Sequence, residues 1–90
     1  MELIIKTEAN EFVARELWSD SMDSFIETKL DEIESADEGA LDKKAVLECY
    51  KYFHDKYGDA KPRLVDTDDE NEVRIIFPDD ENWEIACYLR

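Results

Sequence analysis

The stretch Val73-Arg74-Ile75-Ile76-Phe77-Pro78-Asp79-Asp80-Glu81-Asn82-Trp83-Glu84-Ile85-Ala86-Cys87-Tyr88-Leu89 decides the fold class. After an acidic, proline-led turn, Trp83, Ile85, Cys87 and Leu89 alternate with Glu84, Ala86, Tyr88 and Arg90, and Val73–Phe77 before it is strand-like. This is the pattern of two antiparallel strands with one face buried. Upstream, Arg63-Leu64-Val65 leads into the acidic turn Asp66-Thr67-Asp68-Asp69-Glu70-Asn71 and adds a strand, making a three-stranded meander. The opening, Met1 to Lys6, is short and rich in Leu and Ile, and reads as a fourth strand.

Between these ends the period changes from two to 3.6. Phe12, Trp18, Met22, Phe25, Ile26, Leu30 and Ile33 fall within roughly 140° of one helical face. Val13 and Leu17 lie off that stripe. The segment Ser19-Asp20-Ser21-Met22-Asp23-Ser24 is poor in helix formers, and Ser24-x-x-Glu27 has the form of a capping box. Residues 8–36 therefore read as one long helix or as two with a kink near 19–24. Ser35 to Gly39 is a turn. A further helix is expected over 41–57, where Val46, Cys49, Tyr50, Phe53 and Tyr57 recur at three- and four-residue steps. Gly58 stands where a C-terminal cap belongs, and Pro62 follows. The expectation is one α+β domain over residues 1–90: two or three helices (about 8–36 and 41–57) on an antiparallel sheet of three to four strands (about 1–6, 63–67, 72–77 and 83–89).

Asp and Glu number 25 against 11 Lys and Arg, for a net charge of -14, yet 43% of residues are hydrophobic. Charge alone favours disorder, but that apolar fraction supports a core. A chain so acidic lacks the basic stripe of a direct nucleic-acid binder. It has no apolar run of membrane-spanning length, and its opening lacks the basic and apolar regions of a secretory signal. Cys49 and Cys87 form no framework of disulfides and read as buried thiols of a cytoplasmic protein.

Motifs of catalysis are missing. His54 is the single histidine, and on one helix it diverges from Cys49 by about 140°. No phosphate-binding glycine loop or zinc-ligand spacing occurs. Asp66 to Phe77 departs from a calcium loop at its sixth and twelfth positions, Asn71 and Phe77, where Gly and Glu are needed. We expect no enzyme, no cofactor and no metal.

The informative feature is the acid spacing. Glu16, Asp20, Asp23, Glu27, Asp31, Glu34 and Glu38 step by three and four. On a continuous helix they would share one face within about 80°, and Glu16 to Glu34 would span about 27 Å. Like charges at such spacing weaken a helix by roughly 0.2–0.5 kcal/mol per pair. A soluble helix face ordinarily mixes signs. One DNA strand advances about 3.4 Å per phosphate, so such a row presents a comparable charge density to a basic groove. Asp68, Asp69 and Glu70 form a secondary acidic cluster, with Asp79, Asp80, Glu81 and Glu84 in the next turn.

The small acidic chain, its Met1-Glu2-Leu3-Ile4-Ile5 start, its Glu16-to-Glu38 row and its Trp83-to-Arg90 end resemble the phage-encoded DNA-mimic proteins. Within these it is similar to the anti-restriction nuclease (Arn) family of T-even phages. The resemblance implies a homodimer in the host cytoplasm that binds no nucleic acid itself and occupies the DNA site of a host DNA-binding protein. The implied target is the modification-dependent restriction endonuclease McrBC. It carries over no individual residue. Anti-CRISPR proteins and other phage inhibitors share the same features. An immunity protein or antitoxin against a basic toxin also needs an acidic face, with aromatic anchors drawn from Tyr50, Tyr52, Tyr57 and Trp83. Of these, Tyr52 lies off its helix's apolar stripe.

Overall fold

The computed structural model describes residues 1–35, 41–57, 61–65, 67–78 and 83–90. The strands are β1 (Leu3–Lys6), β2 (Glu11–Val13), β3 (Arg63–Val65), β4 (Glu72–Phe77) and β5 (Trp83–Leu89). They form one sheet in the order β2-β1-β5-β4-β3, with every neighbouring pair antiparallel. The helices are α1 (Ala14–Leu17), α2 (Ser24–Glu34) and α3 (Lys43–Tyr57), with a 3-10 turn at Ser19–Ser21. The α+β class and the β3-β4-β5 meander are as expected.

Register explains the layering. Ile5 pairs with Cys87, Val73 with Cys87, and Ile75 with Ile85. These side chains alternate to one face and are buried there with Leu3 and Phe77. Lys6, Arg74 and Glu84 project to the other face and are exposed. The helices cover the first face only. Ile26, Leu30 and Ile33 of α2, and Ala45, Val46, Cys49 and Tyr50 of α3, join the same core around a buried Trp18. No polar or charged residue among those described is buried. Helices α2 and α3 run antiparallel: Phe25 stacks on Tyr52 at 4.8 Å, and Lys29 reaches Glu48 at 2.9 Å.

The helix expected over 8–36 is corrected in its first half. Residues 11–13 are a fifth strand, and helix is confined to the single turn of α1 and to α2. The cause is local turn chemistry. Thr7 N–H donates to Asn10 O (2.9 Å), and Asn10 N–H donates to Thr7 Oγ1 (3.2 Å). That turn folds residues 11–13 back along β1, pairing Phe12 with Ile5 and covering β1's edge. Phe12, assigned by periodicity to the helical core stripe, is instead 37% exposed on an edge strand. The start of α2 differs as well. Its cap is Asp23, whose carboxylate accepts from Phe25 N–H (2.9 Å) and Ile26 N–H (3.2 Å), so the Ser24 capping box does not form. Asp42 plays the equivalent part for α3, accepting from Ala45 N–H at 3.2 Å.

Both cysteines are free and buried. Burial pushes each thiol up to about 12. No described helix is long and apolar enough to cross a membrane. The C-terminal cap expected at Gly58 lies outside the described residues.

Candidate acidic interface

The seven-acid row is not one stripe. Glu16 sits on α1, Asp20 in the 3-10 turn, Asp23 at the cap of α2, and Glu27, Asp31 and Glu34 along α2. Glu38 lies outside the described residues. The regular part, Asp23 to Glu34, spans about 16 Å at 1.5 Å per residue. The row of about 27 Å is interrupted because the backbone leaves the helix between Leu17 and Ser24.

Three of the six described acids of the row, Asp23, Asp31 and Glu34, are engaged within the molecule. Arg15 Nε donates to Glu34 Oε2 at 2.8 Å, and its other guanidinium arm pairs with Asp31. Glu34 Oε1 also accepts from the Leu3 backbone N–H at 3.4 Å. The Glu34 side chain is only 12% exposed. These contacts raise the Arg15 guanidinium above its ordinary range, the hydrogen bond from Glu34 foremost. Asp23 accepts from the Tyr52 hydroxyl as well as from its two cap donors, and Lys56 Nζ lies 3.6 Å away. The Tyr52 hydrogen bond leads in holding the Asp23 carboxyl below its usual value. Tyr52 is therefore committed to Asp23 and Phe25, and Tyr50 is buried. Two of the four aromatic anchors named for a toxin-binding face are thus integral to the fold.

Glu16, Asp20 and Glu27 are exposed, and among the described residues none has an ion-pair partner. The same holds for Asp68, Asp69 and Glu70 in the β3–β4 turn. That turn is well defined. Asp69 Oδ1 accepts from Asn71 N–H at 2.8 Å, and Thr67 Oγ1 lies 2.7 Å from Glu72 O. Leu41 N–H donates to Glu70 O at 3.4 Å, which sets the turn against the start of α3. Because α2 and α3 are antiparallel, this is the end at which α2 finishes. The acidic turn therefore extends the Asp31–Glu34 end of α2, while Glu16, Asp20 and Asp23 lie towards the other end. Glu84, in contrast, pairs with Arg74 at 3.2 Å on the uncovered sheet face.

An apolar pocket of about 350 Å³ was not anticipated. Ile5, Phe12, Leu17, Trp18, Phe53 and His54 line it, where α1 and α3 meet the β1–β2 end of the sheet. Leu17 is 43% exposed. The Trp18 indole N–H is buried without an acceptor among the described residues. His54 packs on Phe77 with ring centroids 4.5 Å apart, and burial lowers its pKa from the ordinary value. The signal in the sequence is Leu17, an apolar residue that lies off the helical stripe and lines this pocket. No protein family, curated protein or solved structure matches this chain.

Proposed function

We propose that this protein is a DNA-mimic inhibitor that occupies the DNA-binding site of a bacterial defence protein, with the McrBC restriction endonuclease as the target. The reading is carried by the exposed carboxylates that no described cation neutralises: Glu16, Asp20 and Glu27 on the helical side, with Asp68, Asp69 and Glu70 at its end. A net charge of -14 on a folded scaffold attracts a basic groove over long range, and the attraction weakens with salt. The role needs a soluble protein in the host cytoplasm and no chemistry of its own. We infer also a homodimer, which enlarges the charged surface, and a monomeric mass in sedimentation equilibrium would remove that part.

The test is charge reversal at positions the fold does not use. A variant with Glu16, Asp20, Glu27 and Asp68 all changed to Lys is expected to keep its circular dichroism spectrum and lose inhibition of McrBC cleavage. Undiminished inhibition by that folded variant overturns the reading.

A further inference from the structure

The sheet face that the helices leave uncovered differs in charge from the rest of the molecule. Over the whole chain acids outnumber cations by 25 to 11. On the uncovered face the signs balance. Arg74 pairs with Glu72 at 3.4 Å and with Glu84 at 3.2 Å, and Arg90 pairs with Glu11. Lys6, Arg63 and Glu8 are exposed without an ion-pair partner among the described residues. Between the charges the face is apolar, where an open antiparallel sheet is ordinarily polar. Ile4 is 1% exposed and belongs to this layer, not to the core beneath the helices. Val13 and Tyr88 flank it, one on each neighbouring strand. Val65, Ile76 and Ala86 are half-buried on the same face.

The register gives this face a self-complementary layout. Lys6, Ala86, Arg74 and Val65 stand side by side across β1, β5, β4 and β3. One level along the strands, Glu84, Ile76 and Arg63 do the same. Glu8 joins that level beyond the end of β1, in a shallow hollow it lines with Lys6 and Glu84. On the opposite side of the first level, Tyr88 pairs with Glu72. A two-fold axis parallel to the strands, passing between β4 and β5, exchanges β3 with β1 and β4 with β5. It lays Arg63 over Glu8, Lys6 over Val65, Arg74 over Ala86 and Tyr88 over Glu72. At these positions no two like charges meet, and each contact occurs twice.

We propose that the uncovered sheet face is the interface with a second copy of this chain, sheet against sheet, with Arg63 of each copy paired to Glu8 of the other. The proposal rests on the homodimer part of the reading above and not on the identity of its target. Other occupants fit less well. A phosphate backbone finds no excess of cations here, and a basic protein is drawn to the helical side. Packed sheets lie about 10 Å apart, so the helical sides of both copies face outward and keep Glu16, Asp20 and Glu27 in solvent. In about 0.15 M salt, exposed charges more than about 8 Å apart are largely screened, so these distant acids oppose the pairing little. The overlap of four strands, about 19 Å by about 20 Å, lies near the lower bound of about 1,000 Å² for a stable pair once the relief of both faces is counted. That size points to a micromolar dimer.

The test is sedimentation equilibrium of the full-length protein in about 0.15 M salt, alongside Arg63→Glu and Glu8→Arg, both at exposed positions. The unaltered protein is expected to reach twice the monomer mass at micromolar concentrations. Each variant alone should keep its circular dichroism spectrum and associate at least about tenfold more weakly, since symmetry doubles every lost pair. An equimolar mixture of the two should recover the dimer, because opposite signs then face each other at both contacts. Net charge works against this result for Glu8→Arg. That variant is less acidic than the unaltered protein, so overall repulsion alone would strengthen its dimer. On dilution of the unaltered protein, amide resonances of Ile76, Ala86 and Tyr88 should shift, and those of α2 should stay in place. A monomeric mass overturns the proposal and removes the homodimer itself. Undiminished association of either variant, a mixture no tighter than its components, or dilution shifts centred on Phe12 and Leu17 overturn this interface alone. Failure of the mimic reading is read separately, from inhibition by the variant at Glu16, Asp20, Glu27 and Asp68, which alters none of these contacts.

Discussion

Arg15 Nε donates to Glu34 Oε2 across 2.8 Å, tying the single turn of α1 to the last turn of α2. This contact divides the acidic residues into two groups. Some carboxylates hold the fold, and others stand on its surface with no described partner.

Glu34 belongs to the first group. Glu34→Ala removes the Arg15 partner and the acceptor for Leu3 N–H together. We expect a loss of about 1–2 kcal/mol. Glu27→Gln, at an exposed position without an ion pair among the described residues, should stay within about 0.5 kcal/mol. Urea denaturation of the two variants measures both values.

Asp23 makes stability depend on acid pH. Its carboxyl is held below the ordinary value of 3.8, by the Tyr52 hydroxyl first and then by the Ile26 N–H. A depressed carboxyl contributes stability that is complete above the unfolded value and is lost as pH falls through the folded one. Thermal melts from pH 6 down to pH 2 should therefore show a steep loss below about pH 4. In Asp23→Asn that limb should be shallower, with no change of slope between pH 5 and 6.

His54 acts in a higher window. Burial lowers its pKa from 6.5, so the folded state disfavours the imidazolium. Its contribution is full above about pH 6.5 and declines as pH falls from there through the folded value. Nuclear magnetic resonance titration should give a midpoint below 6.5. His54→Phe should flatten the stability profile across that interval.

The two thiols should be inert in the native state. Cys49 and Cys87 are buried with pKa values pushed up to about 12, and only thiolates attack a disulfide reagent. Ellman's reagent should titrate neither cysteine in buffer and both in guanidinium. Rapid native reaction at Cys49 would contradict its place in the core.

What could be read in the sequence follows the strength of each periodic signal. Val73, Ile75 and Phe77, and Ile85 and Cys87, are apolar at every second position and buried, and their stretches form β4 and β5 in the expected antiparallel arrangement. Ile26, Leu30 and Ile33 step by four and three, and all three are buried on α2. Residues 8–23 misled because Phe12 and Trp18 fit a helical wheel by spacing alone. The pairing of Thr7 with Asn10 is a turn signal of a single side chain, and β2 is only three residues long. The acid spacing was visible, but the fate of each acid was not. That Arg15 would neutralise Asp31 and Glu34 depends on where α1 docks, which no spacing within α2 encodes. Trp18 was recognised as a core residue, but its unmet N–H and the pocket beside it arise only from packing.

The most direct test of the central claim is a competition experiment. McrBC is bound to a fluorescently labelled modified duplex, and this protein is titrated in while anisotropy is followed at low and moderate salt. The account predicts that the duplex is released competitively and that the protein's effect weakens as salt rises. If the protein binds McrBC while the duplex stays in place, or if anisotropy does not change even in large excess of protein, mimicry of DNA at that site is contradicted.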